Sequence, residues 1–257
     1  MDEQYALNYQ QLYENHWWWR ARERFILATL ERLRPRGNWG SILDVGCGAG
    51  LFFDRLSDLG DVEGVEPNRS LVTDDNRWKQ RIHVSAFDAT FQPHKRYSLI
   101  LMLDVLEHLE NPTVGLRRAA ELLEPAGHLV ITVPAFSCLW TSHDELNHHV
   151  SRFTRKTLLE LISNTDLTVR DSRYFFHWMF PVKALIHYKE MCFRSDPVVP
   201  EVPTHSINEL LYRLSLLEQR LFSAVSLPFG SSALAICAKE WRGHRDITRL
   251  AAASTGT

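Results

Sequence analysis

Between Trp140 and Thr154 the chain carries His143, His148 and His149 among Asp144, Glu145 and Arg152. Histidine takes and returns a proton near neutral pH without a special environment, so this segment is a candidate source of a general base. The competing use of the same residues is a polar helix start whose histidines cap or lie in solvent. A second constellation is Asp104-Val105-Leu106-Glu107-His108. With a later histidine it offers two carboxylates and two imidazoles, a workable ligand set for a divalent cation. A third is Ile42-Leu43-Asp44-Val45-Gly46-Cys47-Gly48-Ala49-Gly50. Its apolar residues read as a buried strand. Gly46, Gly48 and Gly50 read as a tight turn that leaves bare backbone for a ligand at the carboxyl end of that strand. Asp44 beside the turn would repel a pyrophosphate but suits a ligand with a cationic amine or sulfonium.

These groups need elements to position them. Residues 8–33 read as a helix, with Leu12, Ile26, Leu27, Leu30 and Leu33 on its apolar side and Arg34-Pro35-Arg36-Gly37 ending it. Strand 41–45, helix 50–59, strand 62–66, helix 68–78, strand 81–85, strand 97–103, helix 111–123 and strand 128–133 follow. That alternation predicts a parallel sheet covered by helices on both faces. Glu66 closes the second strand about 20 residues after the glycine turn, where doubly wound folds place a carboxylate for ribose hydroxyls. Thr154 is the N-cap expected for a helix through Ser163, and 167–174 and 232–239 read as strands. Residues 175–230 between them are too many for a structureless loop. Ile207, Leu210, Leu211, Leu214, Leu217 and Leu221 form one apolar helical stripe there.

The run Asp44-Val45-Gly46-Cys47-Gly48-Ala49-Gly50, followed by Glu66, Asp88 and the Asp104–Leu109 loop, resembles class I S-adenosylmethionine (SAM)-dependent methyltransferases of the small-molecule type. The resemblance implies a doubly wound α/β fold: a mostly parallel, Rossmann-like sheet of seven strands with an antiparallel edge and helical insertions. It implies SAM as donor and S-adenosylhomocysteine as product. The donor site it implies comprises Asp44, Gly46, Cys47, Gly48, Gly50, Glu66, Asp88, Ala89, Leu103 and Asp104, with Asp88 near the adenine amino group.

Methyl transfer is an in-line displacement that depends on holding nucleophile, methyl and sulfur at near-attack distance. An oxygen or nitrogen nucleophile also sheds a proton. The resemblance extends to the H-D-E-x-N-H-H stretch, which makes His148 or His149 the candidate base or substrate-orienting group and His143 a third candidate. The expected reaction is methylation of a small, partly hydrophobic acceptor, with oxygen favoured over nitrogen or carbon. Two alternatives stand beside it. One is a binding or regulatory module that keeps the fold without methyl transfer. The other is a metal-assisted O-methyltransferase, because Asp104-x-x-Glu107-His108 is similar to the E-x-x-E-H arrangement of ubiquinone-pathway and small-RNA 2′-O-methyltransferases. Asp104 replaces the first glutamate of that pattern, and no residue is assigned as a metal ligand on sequence.

Two domain-level expectations follow. Residues 1–37 form an N-terminal helical lid, and 38–257 the methyltransferase domain with a helical insertion at about 175–230. The lid rests on His16-Trp17-Trp18-Trp19-Arg20-Ala21-Arg22-Glu23-Arg24. Adjacent helical residues point about 100° apart, so three consecutive tryptophans cannot share one core. Their faces could meet a sulfonium or acceptor, and an arginine could pair with the donor carboxylate; an amphipathic helix packed on the domain is the other use. Phe175 to Pro181 and Ala184 to Ile186 suit internal core first, then an acceptor-pocket wall, a homodimer interface or a membrane surface. Lys183, Lys189 and Arg194 keep peripheral membrane contact open.

Composition narrows the partners. The 257 residues carry a net charge of −2 and no basic block, which disfavours nucleic acid. The opening Met-Asp-Glu-Gln lacks the basic and apolar regions of a signal peptide, and no run of about 18 apolar residues exists. Cys47, Cys138, Cys192 and Cys237 form no CxxC pair, so reduced thiols and a cytoplasmic location are expected.

Overall fold

The computed structural model describes residues 3–193, 199–222 and 225–240, so Arg194 lies outside the described residues. Two helices, α1 (Glu3–Asn15) and α2 (Trp17–Leu33), precede the sheet. The single helix expected over 8–33 is broken at His16. His16 has extended backbone, and its ring nitrogen accepts the Trp18 N–H at 3.1 Å, so the residue acts as the N-cap of α2. Burial lowers its imidazole to about 4, which keeps the acceptor nitrogen free.

The seven strands are β1 (Ser41–Val45), β2 (Asp61–Glu66), β3 (Ile82–Val84), β4 (Tyr97–Leu103), β5 (Leu123–Pro134), β6 (Leu167–Phe175) and β7 (Ser232–Lys239). They lie in the order β3-β2-β1-β4-β5-β7-β6. The first five are parallel; β7 runs antiparallel to both β5 and β6. The central strands are apolar on both sides, as a sheet covered on both faces requires. Leu43 and Val45 share one core with Leu116 and Ala119 of α4 (Pro112–Leu122) and with Leu158 and Ile162 of α6 (Arg155–Ser163). Ile42, Leu99 and Leu101 share the opposite core with Trp17, Ala21, Ile26 and Leu30 of α2. The N-terminal segment expected as a lid therefore includes a helix that is one layer of the domain.

Other boundaries move for local reasons. The helix expected at 50–59 shrinks to α3 (Phe53–Ser57), because the glycine turn continues into its start. The helix expected at 68–78 is absent. Asn68 accepts from Ser70 N–H, and Asn76 accepts from Trp78 N–H while donating to Ala49 O. Such short polar side chains offer the backbone an alternative to helix. Strand β5 starts at Leu123, five residues before the expected position, across an irregularity in its pairing with β4. Thr154 caps α6 as expected, accepting from Thr157 N–H at 3.1 Å.

The insertion holds α7 (Met179–Cys192) and α8 (His205–Leu221). Phe175 and Phe176 are core residues, as expected of the aromatic run. Leu185 and Ile186 are not: they are exposed, as are Ile207, Leu210, Leu214, Leu217 and Leu221 of the predicted stripe. The inward face of α8 sets polar residues beside Leu211 and Tyr212, which pack on the core. Asn208 accepts from Trp17 N–H at the start of α2, and Glu218 accepts from His177 and Trp178 N–H. Satisfying those buried backbone donors decides which way α8 faces. Among the described residues no helix is long and apolar enough to cross a membrane, and all four cysteines are free.

Candidate active site

The carboxyl ends of β1, β2 and β4 meet around the glycine turn. Gly46, Gly48 and Gly50 all have positive φ. At Gly48 (φ +55°) a side chain would be strained, and nothing lies within 4 Å of where its Cβ would stand. That combination leaves open space against backbone, the cradle a ligand needs. Glu66, 6% exposed, pins the cradle: Oε2 accepts Gly48 N–H at 2.9 Å and Oε1 accepts Asn68 N–H at 2.8 Å. Asn76 holds the Ala49 carbonyl at 2.8 Å from the opposite side. Asp44 is 5% exposed, and burial raises its carboxyl to about 7, with Arg22 opposing the shift and Glu66 adding to it.

Arg22 enters this site from α2. Its Nη2 lies 2.7 Å from Asp104 Oδ2, and Thr132 donates to Asp104 Oδ1 at 3.0 Å. Asp104 itself has left-handed backbone (φ 58°) where β4 turns out of the sheet. Trp18 stacks on Phe176 and lies under the Arg22 guanidinium, whereas Trp17 and Trp19 are buried. One tryptophan of the three thus reaches the site side, beside the arginine. Leu103 and Cys47 are half-buried along the same edge, and burial pushes the Cys47 thiol up. Asp88 is placed differently. Its carboxylate closes a turn on Thr90, accepting from the backbone N–H at 2.7 Å and the hydroxyl at 2.6 Å, with Ala89 exposed between them.

The candidate histidines lie on the connection from β5 to α6, which contains α5 (Ser142–Leu146). Asp144 is fully buried. It accepts from Thr141 N–H at 2.9 Å, from Arg152 through two parallel bonds of 2.8 and 3.0 Å, and it lies 2.8 Å from His149 Nδ1. Burial pushes the Asp144 carboxyl up, but the bonds from His149 and Arg152 outweigh it and hold the group well below the carboxylate range. Arg152 also donates to Ala135 O at 2.9 Å, which ties the pair to the end of β5.

The three candidate histidines therefore separate. His149 is oriented by a buried carboxylate. His148 is exposed on left-handed backbone (φ 55°) in the turn before it. His143 is half-buried, contacts Asn147 at 3.2 Å, and is lowered to about 3 by burial and then by Lys183. Lys183, on α7, is lowered to about 8 by burial and by Arg152, against the pull of Asp144 and Asp104. Sequence reasoning missed Arg152, Asn76 and the link from Arg22 to Asp104. The only signal for Arg152 was its place in the basic-aromatic-Thr run before α6.

Glu107 completes the cluster. It is fully buried, and neither carboxylate oxygen has a hydrogen-bond partner. Burial, with Asp104 adding, raises its carboxyl well above the ordinary value. The rings of His108 and His149 stand 4.9 Å apart and nearly perpendicular. Although His108 is exposed overall, burial around its ring and then His149 lower it to about 4. One ligand atom from each of Glu107, His108 and His149 can be chosen so that all lie within 4.8 Å of one another. The cation set expected from Asp104, Glu107, His108 and a later histidine is thus drawn together only in part, because Asp104 is paired with Arg22.

A glycine cradle at a strand end, braced by a buried carboxylate and flanked by an acidic residue at the end of β4, stands at the carboxyl edge of a Rossmann-like sheet. Residues 18–172 match the family described as a methyltransferase domain, and the chain belongs to that SAM-dependent family. It is 34% identical over 97 residues to a ubiquinone biosynthesis O-methyltransferase of Bradyrhizobium diazoefficiens, covering 35% of this chain and 38% of the relative. The aligned part thus spans well under half of that relative's length. Among solved structures, the fold is similar to a putative methyltransferase in complex with the Haloferax volcanii Trm112 activator (17% identity, TM-score 0.58, 93% and 96% of the two chains). It is also similar to the N-methyltransferase NodS of Bradyrhizobium japonicum with bound S-adenosylhomocysteine (15% identity, TM-score 0.54, 89% and 90%).

Proposed function

We propose that the chain methylates a hydroxyl of a small, partly hydrophobic acceptor, with His149 as the group that receives the hydroxyl proton. The observation that carries this reading is the 2.8 Å contact between His149 Nδ1 and the fully buried Asp144, which Arg152 holds in turn. A carboxylate on one ring nitrogen fixes the imidazole and leaves the other nitrogen to face the acceptor. SAM supplies an electrophilic methyl group on a sulfonium. The chain's residues bind and align: the Gly46–Gly50 backbone and Glu66 hold the nucleoside side, Asp44 faces the amine, and Arg22 is released from Asp104 to meet the carboxylate. In this reading residues 1–37 cover the donor through α2. The similarity to ubiquinone biosynthesis O-methyltransferases supports oxygen as the accepting atom.

A second reading has its own observation: the unpartnered carboxylate of Glu107 beside His108 and His149. One carboxylate and two imidazoles suit a divalent cation. Those three residues would hold it, and it would lower the pKa of an acceptor hydroxyl. The two readings part at Glu107, which only the second uses. Under the first, His149→Ala and Asp144→Asn lower turnover, His149→Ala by about 10²–10⁴-fold, while Glu107→Gln and EDTA leave it unchanged. Under the second, EDTA abolishes activity, Mg²⁺, Mn²⁺ or Zn²⁺ restores it, and Glu107→Gln behaves like the chelated enzyme.

A further inference from the structure

Helix α7 is rich in apolar residues, yet none of its residues is buried. At about 100° per residue, Lys183, His187 and Glu190 share one face. That face is turned to the active-site connection: His187 Nδ1 lies 2.5 Å from Trp140 O, and Glu190 accepts from Ser142 N–H and Oγ at 2.8 and 2.9 Å. Val182, Leu185, Ile186, Tyr188, Met191 and Phe193 occupy the remaining arc, roughly 220° wide by the same count. Leu185, Met191 and Phe193 are 70%, 71% and 70% exposed. Helix α8 repeats the inversion in part, with Asn208, Ser215 and Glu218 buried and all of its predicted apolar stripe but Leu211 outward. A helix of a water-exposed domain ordinarily turns its apolar side inward.

Charge follows the same division. Every carboxylate on the two helices has a partner within the molecule: Glu190 meets Ser142, Glu209 pairs with Arg20 of α2 at the surface, and Glu218 accepts from the backbone of His177 and Trp178. Lys189 and Arg213 stay exposed. The outer surface of both helices is therefore mainly apolar, with exposed cations and no carboxylate left without a partner. We infer that the outer faces of α7 and α8 rest on an anionic lipid bilayer. Lys189 sits within the apolar arc of α7, where a long stem can lie along acyl chains while the ammonium reaches headgroup phosphates. A second copy of the chain is the poorer occupant. It would set cation against cation with no free carboxylate to answer, and the arc on α7 is far wider than the seam two helices share. The inner face of α7 carries Lys183 at the acceptor side, so a bilayer beneath α7 would present an apolar acceptor there; this last step alone rests on the proposed methyl transfer.

The test is flotation of the full chain with vesicles of phosphatidylcholine alone and with about one third phosphatidylglycerol. Binding to the mixed vesicles should exceed binding to the neutral ones at least about tenfold and weaken with salt. Leu185→Glu with Met191→Glu should reduce it by about tenfold or more. Lys189→Glu and Arg213→Glu should each reduce it about fivefold on the mixed vesicles alone. S-adenosylhomocysteine affinity, read on the same variants, should stay unchanged and shows that the fold stands. No binding to anionic vesicles overturns the inference, as does binding that neither set of variants alters. A dimer in sedimentation that Leu185→Glu with Met191→Glu dissolves, without vesicle binding, replaces the bilayer by a second copy. Methyl transfer to a water-soluble acceptor without vesicles reads the proposed reaction separately.

Discussion

If Asp44 meets the donor amine, as proposed, donor binding depends on pH in a direction that follows from the burial of its carboxyl. Burial lifts its carboxyl to about 7 in the free protein, so near neutrality the group is divided between its neutral and ionised forms. A donor that places its ammonium beside Asp44 favours the ionised form and pulls that value down. Binding then releases a proton, and affinity must rise with pH until Asp44 is ionised in the free protein as well. If the value falls below about 5 in the complex, affinity should rise roughly 25-fold, or about 1.9 kcal/mol, between pH 5.5 and 7.5. S-adenosylhomocysteine is the probe, because its amine stays protonated over that range, and calorimetry in buffers of different ionisation enthalpy reads affinity and proton release together. Asp44→Asn should flatten the profile and remove the released proton. The free protein carries the opposite trend. A carboxyl raised on folding contributes stability below its unfolded value, and that contribution is lost as pH rises from about 4 to about 7. An affinity that is flat or falls with rising pH, or a slope that survives Asp44→Asn, would refute the placement of the amine at Asp44.

Other consequences are simpler to measure. Arg152→Met leaves the buried Asp144 carboxylate without its bidentate partner and should cost about 3–5 kcal/mol in denaturant unfolding. Asp144 itself is held well below the carboxylate range, so its share of stability is full above about pH 4 and is lost progressively as pH falls from there through its own, far lower value. Glu66→Ala removes the acceptor for two backbone N–H groups of the cradle and should weaken donor binding by roughly 1–3 kcal/mol, read by the same calorimetry.

What could be read from the chain followed the range of the interactions involved. Ile42 to Gly50 shows its strand and turn in nine consecutive residues, and the structure reproduces both, with positive φ at each glycine. Strand β7 lies where its apolar run ends, at Ser232 and Lys239. The failures trace to side chains acting on distant backbone. Asn76 is tied to Ala49, 27 residues away, which melts a helix the local pattern favours. Asn208 and Glu218 bond to residues 191 and 41 positions away, and so turn the leucines of α8 outward. In the connection from β5 to α6, sequence left His148 and His149 level. Only Asp144, five residues before His149 and buried by Arg152, separates them, because the chain reverses through left-handed His148 between them. Glu107 was visible as a residue type, but its lack of a partner is a fact of packing alone.

The most direct measurement is the identity of the atom that receives the methyl group. SAM carrying an isotopically labelled methyl is incubated with the chain and a panel of hydroxylated aromatic acceptors, and products are resolved by mass spectrometry and NMR. The account predicts a labelled methyl ether, formed by wild type, insensitive to EDTA, and reduced by about 10²-fold or more in His149→Ala. A label found on nitrogen or carbon, or an ether formed equally well by His149→Ala, would contradict it.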